Sequence, residues 1–112
     1  MNALLDQIKQ EIKTTPIKLF MKGTKEMPMC GYSNTVVQVL NHYDADFSAT
    51  NVLEDPAIRV NLSEYSNWPT IPQLFVNGEL IGGCDIIVEL HQKGELTAIL
   101  DQVKTNGWLI GQ

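Results

Sequence analysis

The sequence predicts an α/β domain: one four-stranded mixed sheet with helices packed on its faces. Three observations carry that expectation. Apolar residues switch between a helical period and a period of two along the chain, in the order α-β-α-β-α-β-β-α. Asn77-Gly78 lies between the short runs "QLFV" and "ELI", the pattern of a two-residue hairpin. With 44% hydrophobic and 19% charged residues, 112 residues can bury one core without disulfide staples, so a single domain over residues 1–112 is expected.

Leu4, Leu5, Ile8 and Ile12 recur at helical spacing with charged residues between them. Thr14-Thr15-Pro16 ends that helix, because proline disfavours helical geometry in the residue before it. "IKLFM" follows as a strand, with Ile17, Leu19 and Met21 on one face and Phe20 on the other. Residues 23–28 form a loop. Residues 31–43 form a second helix, with Val36, Val37, Leu40 and Tyr43 on one stripe. "DFSATNV" is a short strand. Asp55-Pro56 starts a third helix, with Asp as cap and Pro at its first position, continued by Ile58, Leu62 and Tyr65. "WPTIP" breaks the chain before the hairpin, and Gly82-Gly83 closes it. Asp85 caps a last helix carrying Leu96, Ile99, Leu100 and Val103, bent or divided at Gly94. The tail "TNGWLIGQ" shows no pattern. The element order is that of a thioredoxin fold.

A net charge of −5 and the absence of any basic run argue against a nucleic-acid partner. The start "MNALLDQIKQ" is polar and amphipathic rather than a signal peptide, and no apolar run has membrane-spanning length. The expected location is the cytoplasm, with an organelle matrix or stroma as the alternative. Two cysteines, Cys30 and Cys84, make no secreted disulfide framework and are too few for an all-protein zinc or iron–sulfur site.

"MPMCGYS" places Cys30 at the mouth of the second helix, where unpaired N–H groups and partial positive charge favour a thiolate. Lys22 adds a second positive influence. The plainer reading of Cys30 is a small buried hydrophobe. Gly31 favours the reactive one, since glycine lets a ligand approach. A dithiol redox motif would have a cysteine at position 33, where Ser33 stands. Pro69 and Pro72 bracket Thr70 and Ile71. A cis Ile71-Pro72 bond would offer the Ile71 backbone to an extended peptide, while an ordinary proline turn would not. In "IGGCDI", Cys84 and Asp85 open a helix, a place suited to an anion and, through Asp85, to an ammonium group; a simple strand-to-helix turn is the alternative. Arg59 is the only arginine and suits a carboxylate clamp, although a lone surface arginine is ordinarily solvated. His42 and His91 have no ligand residues nearby in sequence and read as surface or helix-end residues.

Taken together, "FMKG", "PMCGYS", "WPTIPQLF" and "GGCD", in order and at spacing, resemble the monothiol glutaredoxins of the CGFS type, over nearly the whole chain. The long Lys22-to-Cys30 loop is similar to that class too. The resemblance implies a thioredoxin fold and glutathione binding. Lys22 and Arg59 would contact the glycine carboxylate of glutathione, Ile71 its backbone, and Cys84 and Asp85 its γ-glutamyl end. Cys30 would face its sulfur. The sequence departs from the family at Tyr32, where phenylalanine is usual.

The resemblance further implies a [2Fe–2S] cluster bridging a homodimer, its passage to apo iron–sulfur client proteins, and heterodimers with BolA-type proteins. Stoichiometry agrees: the cluster needs four thiolates, two from paired Cys30 residues and two from glutathione. The alternative is a glutathione-dependent oxidoreductase that removes glutathione from proteins by a monothiol route, with Cys30 as the catalytic residue. The resemblance implies that such activity is weak. A disulfide between Cys30 and Cys84 depends on a separation that sequence does not give.

Overall fold

The structure, a computed structural model, describes residues 2–103; the tail "TNGWLIGQ" lies outside the described residues. Its elements are α1 (Ala3–Thr14), β1 (Ile17–Met21), α2 (Gly31–His42), β2 (Ser48–Asn51), α3 (Pro56–Ser66), β3 (Gln73–Val76), β4 (Glu79–Gly82), α4 (Cys84–Gln92) and α5 (Leu96–Gln102). The strands form one sheet in the order β2-β1-β3-β4, parallel between β1 and β2 and antiparallel elsewhere. This is the thioredoxin-fold arrangement that the element order predicts. Among the described residues no helix is long and apolar enough to cross a membrane.

Local chemistry explains most boundaries. Asn2 caps α1 by accepting the Leu5 N–H, and Thr15 turns extended ahead of Pro16. Asp55 caps α3 by accepting the Ala57 N–H at 2.9 Å, with Pro56 at the first position. Asn77 and Gly78 both have positive φ, 52° and 83°, as the tight hairpin turn requires. As one of the two alternatives has it, Gly94 at φ 73° divides the last helical stretch into two helices. Two expectations are corrected. Gly83 rather than Asp85 caps α4, so Asp85 lies inside the first turn. A short 3-10 turn, Val52–Glu54, follows β2; Asn51 Oδ1 starts it by accepting the Leu53 N–H.

The sheet has a core on each face. Ile17, Leu19, Met21, Leu74 and Val76 pack against α2, α4 and α5. Phe20 and Phe75 point the other way, toward α1 and α3, with ring centres 5.9 Å apart in an edge-to-face contact. The alternation along "IKLFM" thus assigns each side chain to its layer. Lys18 is the exception, because it lies on the Phe20 face with only 3% of its surface exposed. Its ammonium pairs with Glu11 of α1 at 3.0 Å.

Burial works to raise the Glu11 pKa. Hydrogen bonds from Lys18 and Gln7, the Lys18 charge and the Thr50 hydroxyl outweigh it and hold the group below its ordinary 4.5. A depressed carboxyl stabilises the fold fully above the unfolded-state value, and that contribution is lost as pH falls through the folded-state value. Denaturant titrations from roughly pH 6 down to pH 3 should therefore show falling stability. Lys18→Met, which keeps the apolar stem without the charge, should give a shallower fall. An equal slope in both proteins would remove this pair as its source.

Candidate functional site

The site lies where β1, α2, the loop before β3 and the start of α4 meet. Cys30 is the N-cap of α2, in extended backbone, and its side chain makes no capping bond. Its sulfur faces unpaired amides instead. The Ser33 N–H lowers the thiol pKa most. Burial opposes that, while the Tyr32 N–H, the Lys22 charge and the Ser33 hydroxyl add to the lowering. Cys84 lies close enough for the two cysteines to influence one another electrostatically, and its thiol is pushed up, by burial first and then by the negative charges of Asp85 and Cys30. The two thiols are therefore differentiated. At neutral pH iodoacetamide should label Cys30 well before Cys84, and peptide mass mapping over a time course checks the order. Equal labelling rates would contradict it.

Ser33 occupies the position of a second motif cysteine and is fully buried. Its hydroxyl accepts the Lys22 N–H at 3.0 Å, tying the end of β1 to the start of α2. The loop between them folds on itself. Thr24 and Met27 exchange N–H to C=O bonds at 3.1 Å, and the Met29 N–H donates to the Lys22 carbonyl at 2.9 Å. Gly23 opens this loop at φ 91°, and its N–H donates to Asn51 Oδ1 at 2.9 Å. Lys25 closes it from outside, its ammonium 4.0 Å from the centre of the Phe47 ring.

Beside Cys30 runs an open groove of about 280 Å³, lined by Tyr32, Trp68, Thr70, Ile71, Pro72 and residues 83–86. The Ile71-Pro72 peptide is cis, and the Ile71 backbone takes no backbone partner among the described residues. The Gly83 cap offers no side chain to the first amides of α4, so these N–H groups stay open to the groove. A Cβ at Gly83 would come 3.2 Å from the Pro72 carbonyl oxygen, a tight contact where the loop and the helix start converge. Flanking Cys30 in sequence, Met27, Met29 and Tyr32 are large apolar residues that keep 70%, 66% and 64% of their surface exposed, and Tyr32 lines the groove.

The glutaredoxin family profile matches residues 17–81, more than half of the chain. A probable monothiol glutaredoxin of Rickettsia typhi is 54% identical, over 92% of this chain and 94% of its own. The chain belongs to the monothiol glutaredoxins. Among solved structures, reduced apo GrxS14 of poplar is 47% identical, superposes with a TM-score of 0.76 and is matched over 92% of each chain. A buckwheat glutaredoxin solved with glutathione is 26% identical, with a TM-score of 0.78 over 88% of each chain.

Seen as a glutaredoxin, the chain gathers most of the residues singled out from its sequence. Ile71, Cys84 and Asp85 line the groove; Lys22 and Cys30 are not among its lining residues, but Cys30 lies within electrostatic reach of both Lys22 and Cys84. Arg59 is exposed on α3 and is not among the lining residues. Gly31 has open space where a Cβ would be, so the glutaredoxin fold does not itself demand glycine there. Sequence reasoning missed Gln73. Fully buried, it donates from Nε2 to the Trp68 carbonyl at 2.9 Å and the Thr70 carbonyl at 3.1 Å, holding the loop that forms the groove wall. The available signal was a polar residue heading a strand otherwise apolar on both faces. The pairing of Asn51 with Gly23 had no sequence signal, because the partners lie on different elements.

Proposed function

We propose that this monothiol glutaredoxin binds glutathione in the groove beside Cys30 and carries a [2Fe–2S] cluster as cargo between two copies of itself. The cluster would go to apo iron–sulfur client proteins. Membership in the family supports glutathione-linked redox or iron–sulfur roles in general, and the buckwheat relative solved with glutathione supports that ligand. The observation that carries the finer reading is the solitary activated thiol. Cys30 has a depressed pKa, and the motif position that would close on it is a buried serine engaged with the Lys22 N–H. Such a thiolate is left available to a metal.

The donor chemistry fits the cargo. A [2Fe–2S] cluster takes four thiolates, and two copies of Cys30 with two glutathiones supply them. In this reading Lys22 and Arg59 attract the glycine carboxylate of glutathione. The Ile71 backbone pairs with its extended middle, and the Cys84 N–H and the Asp85 carboxylate take its γ-glutamyl end. Met27, Met29 and Tyr32 give the second copy, or a BolA-type partner in its place, an apolar rim to cover. Ligands that are half exchangeable small molecules suit a carrier, since the cluster leaves when glutathione does.

Anaerobic reconstitution with iron and sulfide, with and without glutathione, tests the proposal. The expected result is a coloured dimer that forms only with glutathione. One observation favours a second reading: the Cys30 thiol is partly exposed as well as acidified. Its thiolate would attack the glutathione sulfur of a mixed disulfide and release the client thiolate. A second glutathione thiolate would then restore Cys30 and leave as oxidised glutathione. A colourless monomer that rapidly reduces mixed disulfides would replace the carrier reading with this one.

A further inference from the structure

At the far ends of α2 and α4 from the two cysteines, the fold assembles a second cluster of coordinating side chains. His42 is the last residue of α2, and His91 lies in the last turn of α4. Nothing in their sequence spacing links them, yet their ring centres are 5.3 Å apart. Tyr43 completes the group, its hydroxyl hydrogen-bonded to His91 Nδ1 at 2.6 Å. We propose that His42 and His91 form a surface site for a divalent transition metal that prefers imidazole, with Tyr43 as the residue that positions His91.

Three physical arguments support the site. The first is spacing. Two imidazole nitrogens bound to one metal at about 2.0–2.1 Å, each about 1.1 Å from its ring centre, put the ring centres roughly 4.5–5.2 Å apart for coordination angles of about 90–110°. The observed separation of 5.3 Å lies just beyond the upper end of that range. The rings are inclined at 71°, and His42 is exposed with no hydrogen bond to its ring among the described residues. It can therefore turn toward a shared ion.

The second argument is tautomer. A neutral imidazole that coordinates through one nitrogen carries its proton on the other, and a partner at that second nitrogen fixes ring and tautomer. The Tyr43 oxygen occupies that place on His91. Nδ1–H would donate to the phenol oxygen, and Nε2 would be left for the metal. The third argument is field. Both residues lie at helix C-termini, where the macrodipole favours a cation. The neighbouring cation in sequence, Lys93, is paired with Glu89 at 3.0 Å. Two imidazoles and water suit Cu2+ above the other first-row divalent ions, by the general affinity order, with Zn2+ as a weaker occupant.

The full chain with Cys30 and Cys84 alkylated, so that thiolates do not compete, is titrated with Cu2+. Calorimetry gives the affinity, and electron paramagnetic resonance reads the nitrogen couplings. One Cu2+ per chain is expected, with couplings from two imidazole nitrogens and displacement by excess Zn2+. His42→Asn, a surface change that leaves the fold intact, and His91→Asn should each abolish stoichiometric binding. Tyr43→Phe should weaken it about tenfold or more while the coupling pattern still shows two imidazoles. A purely structural Tyr43 would change the melting temperature and leave the Cu2+ affinity alone. Binding that survives His91→Asn, a spectrum without imidazole nitrogen, or no stoichiometric binding would each overturn the proposal. None of these outcomes depends on the cluster-carrier reading.

Discussion

Cys30→Ser is expected to abolish cluster assembly. Reconstituted with iron, sulfide and glutathione, the variant should stay colourless and elute at the monomer position, while the parent protein gives the coloured dimer. The effect should be complete rather than graded, because each chain contributes one thiolate of a four-thiolate set, and a serine hydroxyl is not ionised at neutral pH. Stability should hardly change. Cys30 makes no capping bond, and serine is a preferred cap residue. Cys84→Ser is the matching control. Its thiol is pushed upward and so kept protonated, which suits a residue that acts through its backbone N–H rather than its sulfur. This variant should still assemble the cluster. Loss of the cluster in Cys84→Ser, or its retention in Cys30→Ser, would reverse the ligand assignment.

Among the described glycines, Gly23→Ala should be the most damaging added methyl group. Two independent costs meet there. Gly23 has φ 91°, a region in which side chains are strained. An added Cβ would also lie 2.5 Å from the Met27 carbonyl oxygen and 2.6 Å from the Met29 nitrogen. Both are backbone atoms, so no side chain can rotate out of the way. A loss of about 3 kcal/mol is expected, with a melting temperature lower by roughly 10 °C or more. The loop that must open to admit the methyl ends one residue before Cys30, so cluster assembly should fall as well. Gly31→Ala gives the contrast. Its Cβ would meet nothing within 4 Å, and its backbone already suits the first turn of a helix. Stability should be unchanged or up to about 1 kcal/mol higher. If glycine at 31 serves the approach of glutathione, that variant alone should lose ligand binding without losing stability. Thermal melts and glutathione binding measured on the same samples separate the two cases.

What the sequence by itself determined rests on interactions between near neighbours. The alternation in "IKLFM" sorted side chains between the two cores. Asn77-Gly78 set the hairpin because its turn needs two residues that accept positive φ. Asp55-Pro56 began α3, and Cys30 was placed at a helix mouth, each by capping rules that span only a few residues. The motif set also identified the family, because four short stretches in order constrain more than any one of them.

Only the tertiary structure decided which distant groups meet. The Asp85 expectation failed because an extended glycine can start a helix as well as an acid can, and the choice depends on how closely Gly83 packs on Pro72. Lys18 was buried within a strand that periodicity reads as apolar, and its partner Glu11 comes from another element. Ser33 looked like a mere absence of cysteine, whereas its hydroxyl holds the Lys22 N–H. His42 and His91 read as unrelated helix ends until α2 and α4 packed side by side. The physical reason is common to all four. Propensity and patterning act over a few residues, whereas pKa shifts, buried hydrogen bonds and coordination spheres arise from atoms that share space after the chain has folded.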